Sequence, residues 1–116
     1  MSDIQILHNP RCSKSRQTLA LLEEKGIEPD IIKYLDTPPS AAELKQILQK
    51  LGISARDLLR KGEDDYKALN LKDPSLSEDE LINAMVKHPK LIERPIVIKD
   101  NKARLGRPPE SVLDII

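Results

Sequence analysis

The chain has 116 residues, and its 19 lysines and arginines are balanced by 19 aspartates and glutamates, so the formal net charge is zero. A neutral chain has no overall field that would draw it to nucleic acid or to an anionic membrane, so we expect neither partner and only a local anion site. Tyr34 and Tyr66 are the only aromatic residues, which argues against base stacking. The length fits one compact domain with an aliphatic core.

Cysteine usage and the N-terminus indicate the cellular setting. No apolar run approaches the roughly 20 residues needed to cross a bilayer, and Met1 leads directly into a strand-like segment with no signal peptide. We therefore expect a soluble, cytoplasmic protein. Cys12 is the single cysteine, which excludes an internal disulfide and argues against a thiolate-rich metal site.

The first third of the chain predicts a strand, a helix and a second strand. Ile4–Leu7 is a short apolar run typical of a strand, and residues 30–35 have the same character. Between them, the leucine spacing over residues 13–25 is helical, and Gly26 is placed to end the helix. Cys12 is thereby placed at the N-terminus of the first helix.

The middle of the chain is predicted to be helical. Ser40 with Glu43, and Ser77 with Glu80, have the spacing of a capping box, in which two side chains cap the start of a helix reciprocally. We therefore expect a helix after each serine, with a shorter helix over residues 54–59.

The last part of the chain predicts a hairpin followed by a helix. Residues 95–98 and 103–105 are the candidate strands, Asp100 lies in the turn between them, and a closing helix starts from Pro108. The whole order predicts an α/β fold, with a mixed sheet covered by helices and a helical insertion between the second and third strands.

The strongest chemical signal surrounds Cys12, which has Arg11 before it and Lys14 and Arg16 after it. A free cysteine has a pKa of about 8.5, and a helix N-terminus with nearby cations lowers it to roughly 3.5–7.5, because unpaired amides and positive charge stabilise the thiolate. We therefore expect Cys12 to be accessible, to have a lowered pKa and to act as a nucleophile. The alternative is a buried, inert cysteine, which a polar and cationic turn disfavours.

The same motif excludes two familiar thiol sites. Ser15 stands where a dithiol C-x-x-C motif would have its second cysteine, and only three residues separate Cys12 from Arg16, too few for a phosphatase-like loop around an oxyanion. An oxyanion would therefore be held by groups from elsewhere in the chain. Arginine is suited to this role because its guanidinium is a rigid donor fork. On spacing alone the cationic candidates are equivalent: Arg56, Arg60, Lys61, Arg94, Arg104 and Arg107.

Four segments together resemble the glutaredoxin-coupled arsenate reductase family, which is thioredoxin-like: the motif around Cys12 and residues 58–61, 93–97 and 105–108. The resemblance covers nearly the whole chain. It implies a single thioredoxin-like domain over residues 1–116, with the helical insertion over about residues 40–90.

The resemblance also implies roles for individual residues. It makes Cys12 the nucleophile and assigns oxyanion binding to Arg60, Arg94 and Arg107, converging on the cysteine. It implies that the Arg94–Pro95 peptide bond is cis. It places His8 near the cysteine, where it would tune the thiol; the alternative is a strand-end histidine bonded only to backbone.

The function implied by the resemblance is reduction of arsenate, or a similar oxyanion, by an oxidoreductase that uses glutathione as co-substrate. A separate glutaredoxin is the expected partner, because a chain with one cysteine cannot resolve the adduct itself. No bound cofactor or metal is expected. Two alternatives stay open: a monothiol glutaredoxin-like thiol-disulfide exchanger using Cys12 and Ser15, and a redox-related regulatory module that binds another protein. Such regulators usually carry a C-x-x-C switch, which Ser15 interrupts here.

Overall fold

A computed structural model describes residues 4–116 and divides them into two compact units. One unit combines residues 4–37 with residues 94–116, and the other comprises residues 38–93. The first unit contains the sheet and Cys12, and the second is helical. The expectation that no signal peptide is present concerns Met1 and the residues beside it, and Met1 lies outside the described residues.

The first unit is built on a four-stranded sheet. Its strands are β1 (Ile4–Leu7), β2 (Asp30–Ile32), β3 (Ile96–Lys99) and β4 (Lys102–Leu105), in the spatial order β2-β1-β3-β4. β2 is parallel to β1, whereas β3 is antiparallel to both β1 and β4. The central strands β1 and β3 are rich in buried isoleucine, leucine and valine, as expected for strands covered on both faces. The mixed α/β sheet predicted from the sequence is confirmed.

Helix α1 (Ser13–Glu24) and the 3₁₀ helix Pro109–Asp114 share an aliphatic core with the sheet. Fully burying one such side chain contributes roughly 1.5–3 kcal/mol, so the cluster holds both helices in place. Gly26 follows α1 in the left-handed conformation, with φ of 76°, and ends the helix as predicted. The buried members of the cluster are Ile4, Ile6, Leu22, Val97, Val112 and Ile115.

The second unit contains α2 (Ala41–Leu51), α3 (Ala55–Leu58), α4 (Asp64–Ala68), α5 (Glu78–Lys87) and the 3₁₀ helix Pro89–Leu91. Both predicted capping boxes are present, at the starts of α2 and α5. These two helices pack together through apolar residues spaced three or four positions apart. The buried side chains on them are Leu44, Ile47, Leu48, Leu81, Ile82 and Met85.

The second strand is shorter than predicted. It was expected over residues 30–35 but ends at Ile32. The backbone turns at Lys33, whose carbonyl accepts hydrogen bonds from the amides of Asp36 at 3.0 Å and Thr37 at 2.9 Å. The residues predicted to extend the strand beyond Ile32 therefore lie in a turn, which the composition of residues 30–35 does not indicate.

Two helical predictions also need correction. The closing helix is a 3₁₀ helix, with Pro108 as its N-cap residue. Helix α4 is not predicted by the sequence, because it has no capping side chain and buries only Tyr66, so neither caps nor periodicity indicate it.

The helices between β2 and β3 all fall within residues 38–93, close to the expected insertion. The organisation as one domain over residues 1–116 stays a prediction. Within residues 4–116, no helix is both long and apolar enough to cross a membrane.

Candidate active site

Cys12 is the N-cap residue of α1, with φ of −96° and ψ of 125°. Asn9 organises the loop before it. The Asn9 Oδ1 atom accepts a hydrogen bond from the Arg11 amide, and its carbonyl accepts one from the Cys12 amide, both at 3.0 Å. The Cys12 carbonyl accepts the Arg16 amide at 3.0 Å, which begins the helix. This Asx-type turn fixes the thiol at the helix start, as the sequence predicts.

The pKa of Cys12 lies below its ordinary value, in the predicted direction. Burial is the largest single effect and raises the pKa. It is outweighed by the hydrogen bond from the Ser15 amide, the charge of Arg94, the hydrogen bond from the Lys14 amide and a side-chain hydrogen bond from Arg94. Amide donors and a guanidinium both favour the anion, so the thiolate is stabilised at this position.

The cations that flank Cys12 in the sequence are not the ones that lower its pKa, so this part of the prediction is wrong. The side chains of Arg11, Lys14 and Arg16 are exposed, and Arg16 donates from Nη1 to the Pro10 carbonyl at 3.0 Å. Lys14 acts through its backbone amide. Exposed charges are screened by solvent and salt, whereas a guanidinium in contact with the thiol is not.

Cys12 is more buried than expected, since the residue is only 8% exposed, and its accessibility to reagents stays a prediction. Its sulfur lies against the first-turn amides of α1 and beside the Arg94 side chain. A buried thiolate held by fixed donors loses its hydration shell, which these donors replace.

Arg94 and Arg107 are linked through the backbone of Arg94. The Arg107 Nε atom donates to the Arg94 carbonyl at 2.9 Å. The Arg94–Pro95 peptide bond is cis, as the resemblance implies, and the Arg107–Pro108 bond is cis as well. Arg94 thus contacts Cys12, and Arg107 contacts Arg94.

Gly106 allows these two arginine–proline pairs to lie close together. Its amide donates to the Pro95 carbonyl at 2.9 Å. A Cβ atom on Gly106 would lie 2.7 Å from Pro95 Cγ and would overlap the Thr18 Oγ1 atom. Thr18 is fully buried on α1, so there is no room at this position for any side chain.

His8 lies at the end of β1 and is connected to Cys12 through Ser15. The His8 Nδ1 atom and the Ser15 Oγ atom are 2.7 Å apart, and Oγ also accepts the Asn9 amide at 3.0 Å. Burial lowers the pKa of His8, and the charges of Lys33 and Arg16 lower it further. His8 is therefore neutral near pH 7. It is bonded to a side chain as well as to backbone, since its amide donates to the Ile32 carbonyl at 2.9 Å.

Arg60 belongs to the helical unit. Its Nη1 atom forms an ion pair with Glu63 Oε1 at 2.8 Å and a longer hydrogen bond to the Lys90 carbonyl at 3.4 Å. Its amide donates to the Leu91 carbonyl at 2.8 Å. The role of Arg60 in oxyanion binding stays a prediction.

The groups around Cys12 suit a nucleophilic thiolate that receives an anion. Amide donors and Arg94 stabilise negative charge on sulfur, and Arg107 supplies a second guanidinium one contact away. Within residues 4–116, no group of three or more His, Cys, Asp and Glu side chains is arranged to hold a metal ion.

Comparison with known proteins identifies the family. The ArsC family matches residues 7–115 of the chain. The chain belongs to the ArsC family. The Escherichia coli K12 protein YfgD, described as uncharacterized, is 60% identical over 114 residues, covering 97% of this chain and 96% of that protein. An arsenate reductase of Neisseria meningitidis is 54% identical over 113 residues, which cover 97% of each.

A solved structure extends the comparison to the fold of this ArsC family member. The arsenate reductase from Vibrio cholerae is 58% identical, with a TM-score of 0.96 and coverage of 97% of each chain. The thioredoxin-like fold that the family resemblance implies is confirmed.

Three residues of the ArsC site were not singled out from the sequence. The sequence indicates Ser15 only as the residue in place of a second cysteine and as a participant in the monothiol alternative, and it indicates no individual role for Thr18 or Gly106. Ser15, Thr18 and Leu22 are the fully buried positions of α1, and their spacing of three and four residues follows one helix face. That periodicity was a usable signal, whereas the close approach at Gly106 depends on tertiary contacts.

Proposed function

We propose that this protein reduces arsenate to arsenite through the Cys12 thiolate, with electrons from glutathione and glutaredoxin. The observation that carries the proposal is the lowered pKa of a buried cysteine whose anion is stabilised by the Ser15 and Lys14 amides and by Arg94. ArsC relatives named arsenate reductases support the choice of substrate. We place the reaction in the cytoplasm, where thiols are kept reduced.

In the first proposed step, the Cys12 thiolate attacks arsenic. A sulfur–arsenic bond forms and an arsenic–oxygen bond breaks. The departing hydroxide takes up the proton that the thiol released on ionisation, so one water molecule leaves. Arsenic stays pentavalent, and nothing is oxidised or reduced in this step.

The arginines are proposed to bind the oxyanion in that step. An arsenate dianion beside a thiolate creates like-charge repulsion, which an exposed helix N-terminus offsets by only about 0.3–1 kcal/mol. Arg94 contacts the sulfur and Arg107 is tied to Arg94, so both can supply the additional charge. Arg60 is proposed as the third arginine on the resemblance alone.

In the second proposed step, the glutathione sulfur attacks the Cys12 sulfur. The sulfur–arsenic bond breaks with its electron pair passing to arsenic, which is reduced to the trivalent state. A disulfide forms between Cys12 and glutathione, the two sulfurs together losing the two electrons, and the glutathione proton goes to arsenite. A glutaredoxin thiolate then attacks the glutathione sulfur and releases Cys12, because the chain itself offers no second thiol.

His8 acts in this proposal as a positioning residue. Its ring is bonded to Ser15 Oγ at 2.7 Å, and the Ser15 amide is one of the donors to the Cys12 thiolate. Fixing the Ser15 side chain holds the first turn of α1 in place beneath the sulfur. Replacement of His8 by alanine should therefore raise the Cys12 pKa, as measured by the pH dependence of alkylation.

The proposal is tested by measuring arsenite formation with glutathione and a glutaredoxin, for the parent chain and for Cys12→Ser. We expect turnover in the parent and its loss in the variant. Lys25→Gln is a matched control, because Lys25 is exposed at the far end of α1. Parental arsenite formation by Cys12→Ser would contradict the proposal.

The same assay without arsenate examines the monothiol glutaredoxin-like alternative. A glutathionylated peptide replaces arsenate, and release of reduced peptide is followed. Cys12-dependent turnover of that peptide, with no arsenite formed in the parallel reaction, would favour the alternative over arsenate reduction.

A further inference from the structure

A cavity lies beside the Cys12 loop. It has a volume of about 340 Å³ and is lined by the loop after β1 and the turn after β2. This is near the lower end of the roughly 300–1,000 Å³ of small-molecule sites. We call it the β1–β2 groove. The charged side chains in its lining are Arg11, Lys33 and Asp36.

The topology of the sheet explains why the groove lies where it does. β1 and β2 are parallel neighbours, and the ladder is extended by the His8 amide, which donates to the Ile32 carbonyl at 2.9 Å. The segments that follow both strands therefore lie at the same edge of the sheet, where α/β folds place their ligands. Arg11 lines the groove and Cys12 follows it directly in the chain, so the groove lies next to the nucleophile.

The groove has a defined charge pattern. Arg11 and Lys33 provide two cations and Asp36 one anion, and all three side chains are exposed. Within residues 4–116, none of the three forms an ion pair with another side chain. The charge of Lys33 reaches the inner end of the groove, since it helps to lower the pKa of buried His8.

This pattern selects among small ligands. A simple oxyanion would pair with Arg11 and Lys33 but would leave Asp36 without a partner, and the lining has no Phe, Tyr or Trp side chain on which a base could stack. A ligand with two negative groups and one positive group would pair with all three side chains. Glutathione has two carboxylates, one ammonium group and a thiol.

We propose that the β1–β2 groove is the glutathione site, with Arg11 and Lys33 binding the two carboxylates and Asp36 binding the ammonium group. This assignment rests on the proposed function, which names glutathione as reductant. A ligand seated there brings its thiol to the loop that carries Cys12. The groove is lined by neither Arg94 nor Arg107, so the reductant and the oxyanion would bind to different side chains.

The site is tested by binding, without turnover. The probe is S-methylglutathione, which keeps every charge of glutathione but cannot form a disulfide. In an NMR titration of the full chain, we expect saturable shifts of the amides of residues 8–11 and 33–36. No saturable shift up to the solubility limit of the probe, or shifts confined to other residues, would overturn the assignment.

Charge variants make the test specific. Arg11→Gln and Lys33→Gln should each weaken binding about two- to fivefold, as expected for exposed ion pairs. Lys25→Gln removes the same charge outside the groove and should leave binding unchanged. An equal loss in the Lys25→Gln variant would show nonspecific attraction and would overturn the site.

The ammonium contact is tested by changing the ligand as well as the protein. Asp36→Asn should weaken binding of S-methylglutathione about two- to fivefold but should not weaken binding of its N-acetyl derivative, which has no positive charge. Equal effects on both ligands would overturn the Asp36 contact.

These outcomes are independent of arsenate. If the expected binding pattern is found and the parent makes no arsenite, the groove stands and arsenate reduction fails. If the parent makes arsenite with glutathione and the probe binds elsewhere, the function stands and the groove is overturned.

Discussion

The start of α1 differs from the starts of α2 and α5. Ser40 and Ser77 each accept the amide of the third helical residue at 3.2 Å, and Glu43 and Glu80 complete the capping boxes. At α1 the N-cap position is held by Cys12, which as a thiol makes no capping hydrogen bond, and residues 13–15 include no acidic side chain. In α2 and α5 a first-turn amide donates to a capping serine, whereas in α1 the first-turn amides remain available to an anion.

The amides that lower the Cys12 pKa occupy the same helix positions as the amides that bond a conventional cap. An N-cap side chain accepts from the second or third residue of its helix, and in α1 these are Lys14 and Ser15, the same amides that lower the Cys12 pKa. A conventional cap contributes about 1 kcal/mol. The chain does without that contribution at α1, and the buried face of the helix holds it to the sheet instead.

The largest effect is expected from giving α1 a conventional cap. Cys12→Ser should lower arsenite formation by roughly a thousandfold or more, because the nucleophile is removed. At a pH low enough to keep Cys12 protonated, the free energy of unfolding should stay the same or rise by up to about 1 kcal/mol, because serine is a better N-cap than the neutral thiol. Urea denaturation alongside the assay measures both, and a clear loss of stability would contradict the comparison.

Removing the guanidinium should have the next largest effect. Arg94→Gln leaves the amides of α1 intact but removes the charge beside the sulfur, so we expect roughly a hundredfold loss of turnover. The midpoint of Cys12 alkylation against pH should move upward. Arg104→Gln is the control, since Arg104 Nη1 donates to its own neighbour, Ala103. An unchanged alkylation midpoint in Arg94→Gln would show that the amides suffice.

A methyl group at Gly106 should destabilise the unit that carries Cys12. Gly106→Ala forces a Cβ against Pro95 and Thr18, and overpacking of this kind costs about 1–3 kcal/mol. Gly62→Ala is the matched control, because no atom lies within 4 Å of its added Cβ. Thermal or urea unfolding of both variants measures the difference, and equal stabilities would show that the contact relaxes without cost.

The conventional caps should affect stability alone. Ser40→Ala should lower the free energy of unfolding by about 1 kcal/mol, because the Glu43 amide loses its acceptor. Alkylation of Cys12 should not change. Ser75→Ala, a serine that caps no helix start, is a useful comparison for the denaturation experiment. A shifted alkylation midpoint in Ser40→Ala would mean that the two kinds of helix start are not independent.

The smallest effect expected is a pH dependence that arises from His8. Its pKa is lowered from 6.5 in the folded chain, so below that pH the unfolded chain binds a proton that the folded chain does not, and stability falls as pH falls. Between about pH 7.5 and about pH 5.5, the parent should lose more stability than His8→Gln. Equal losses in urea denaturation would show that His8 does not resist protonation.

Local features of the sequence predicted local structure well. The capping boxes at Ser40 and Ser77, the strand Ile4–Leu7 and the position of Cys12 at a helix start each depend on a few neighbouring residues, and all are found. The contacts between side chains distant in sequence were reached only through family resemblance. The sequence around Cys12 indicates Arg11, Lys14 and Arg16 as activating charges, whereas Arg94 is the side chain that contacts the sulfur. No spacing rule connects residues so far apart.

The sheet has one consequence for how the protein behaves in concentrated solution. The order β2-β1-β3-β4 leaves β2 and β4 at the edges, and an unpaired edge is a template on which another chain can add a strand. β2 pairs over three residues only and begins with exposed Asp30, and β4 carries Lys102 and Arg104. Because the net charge is zero, repulsion between whole molecules gives little protection. Resistance to edge-to-edge association therefore depends on these few local charges and on the shortness of β2.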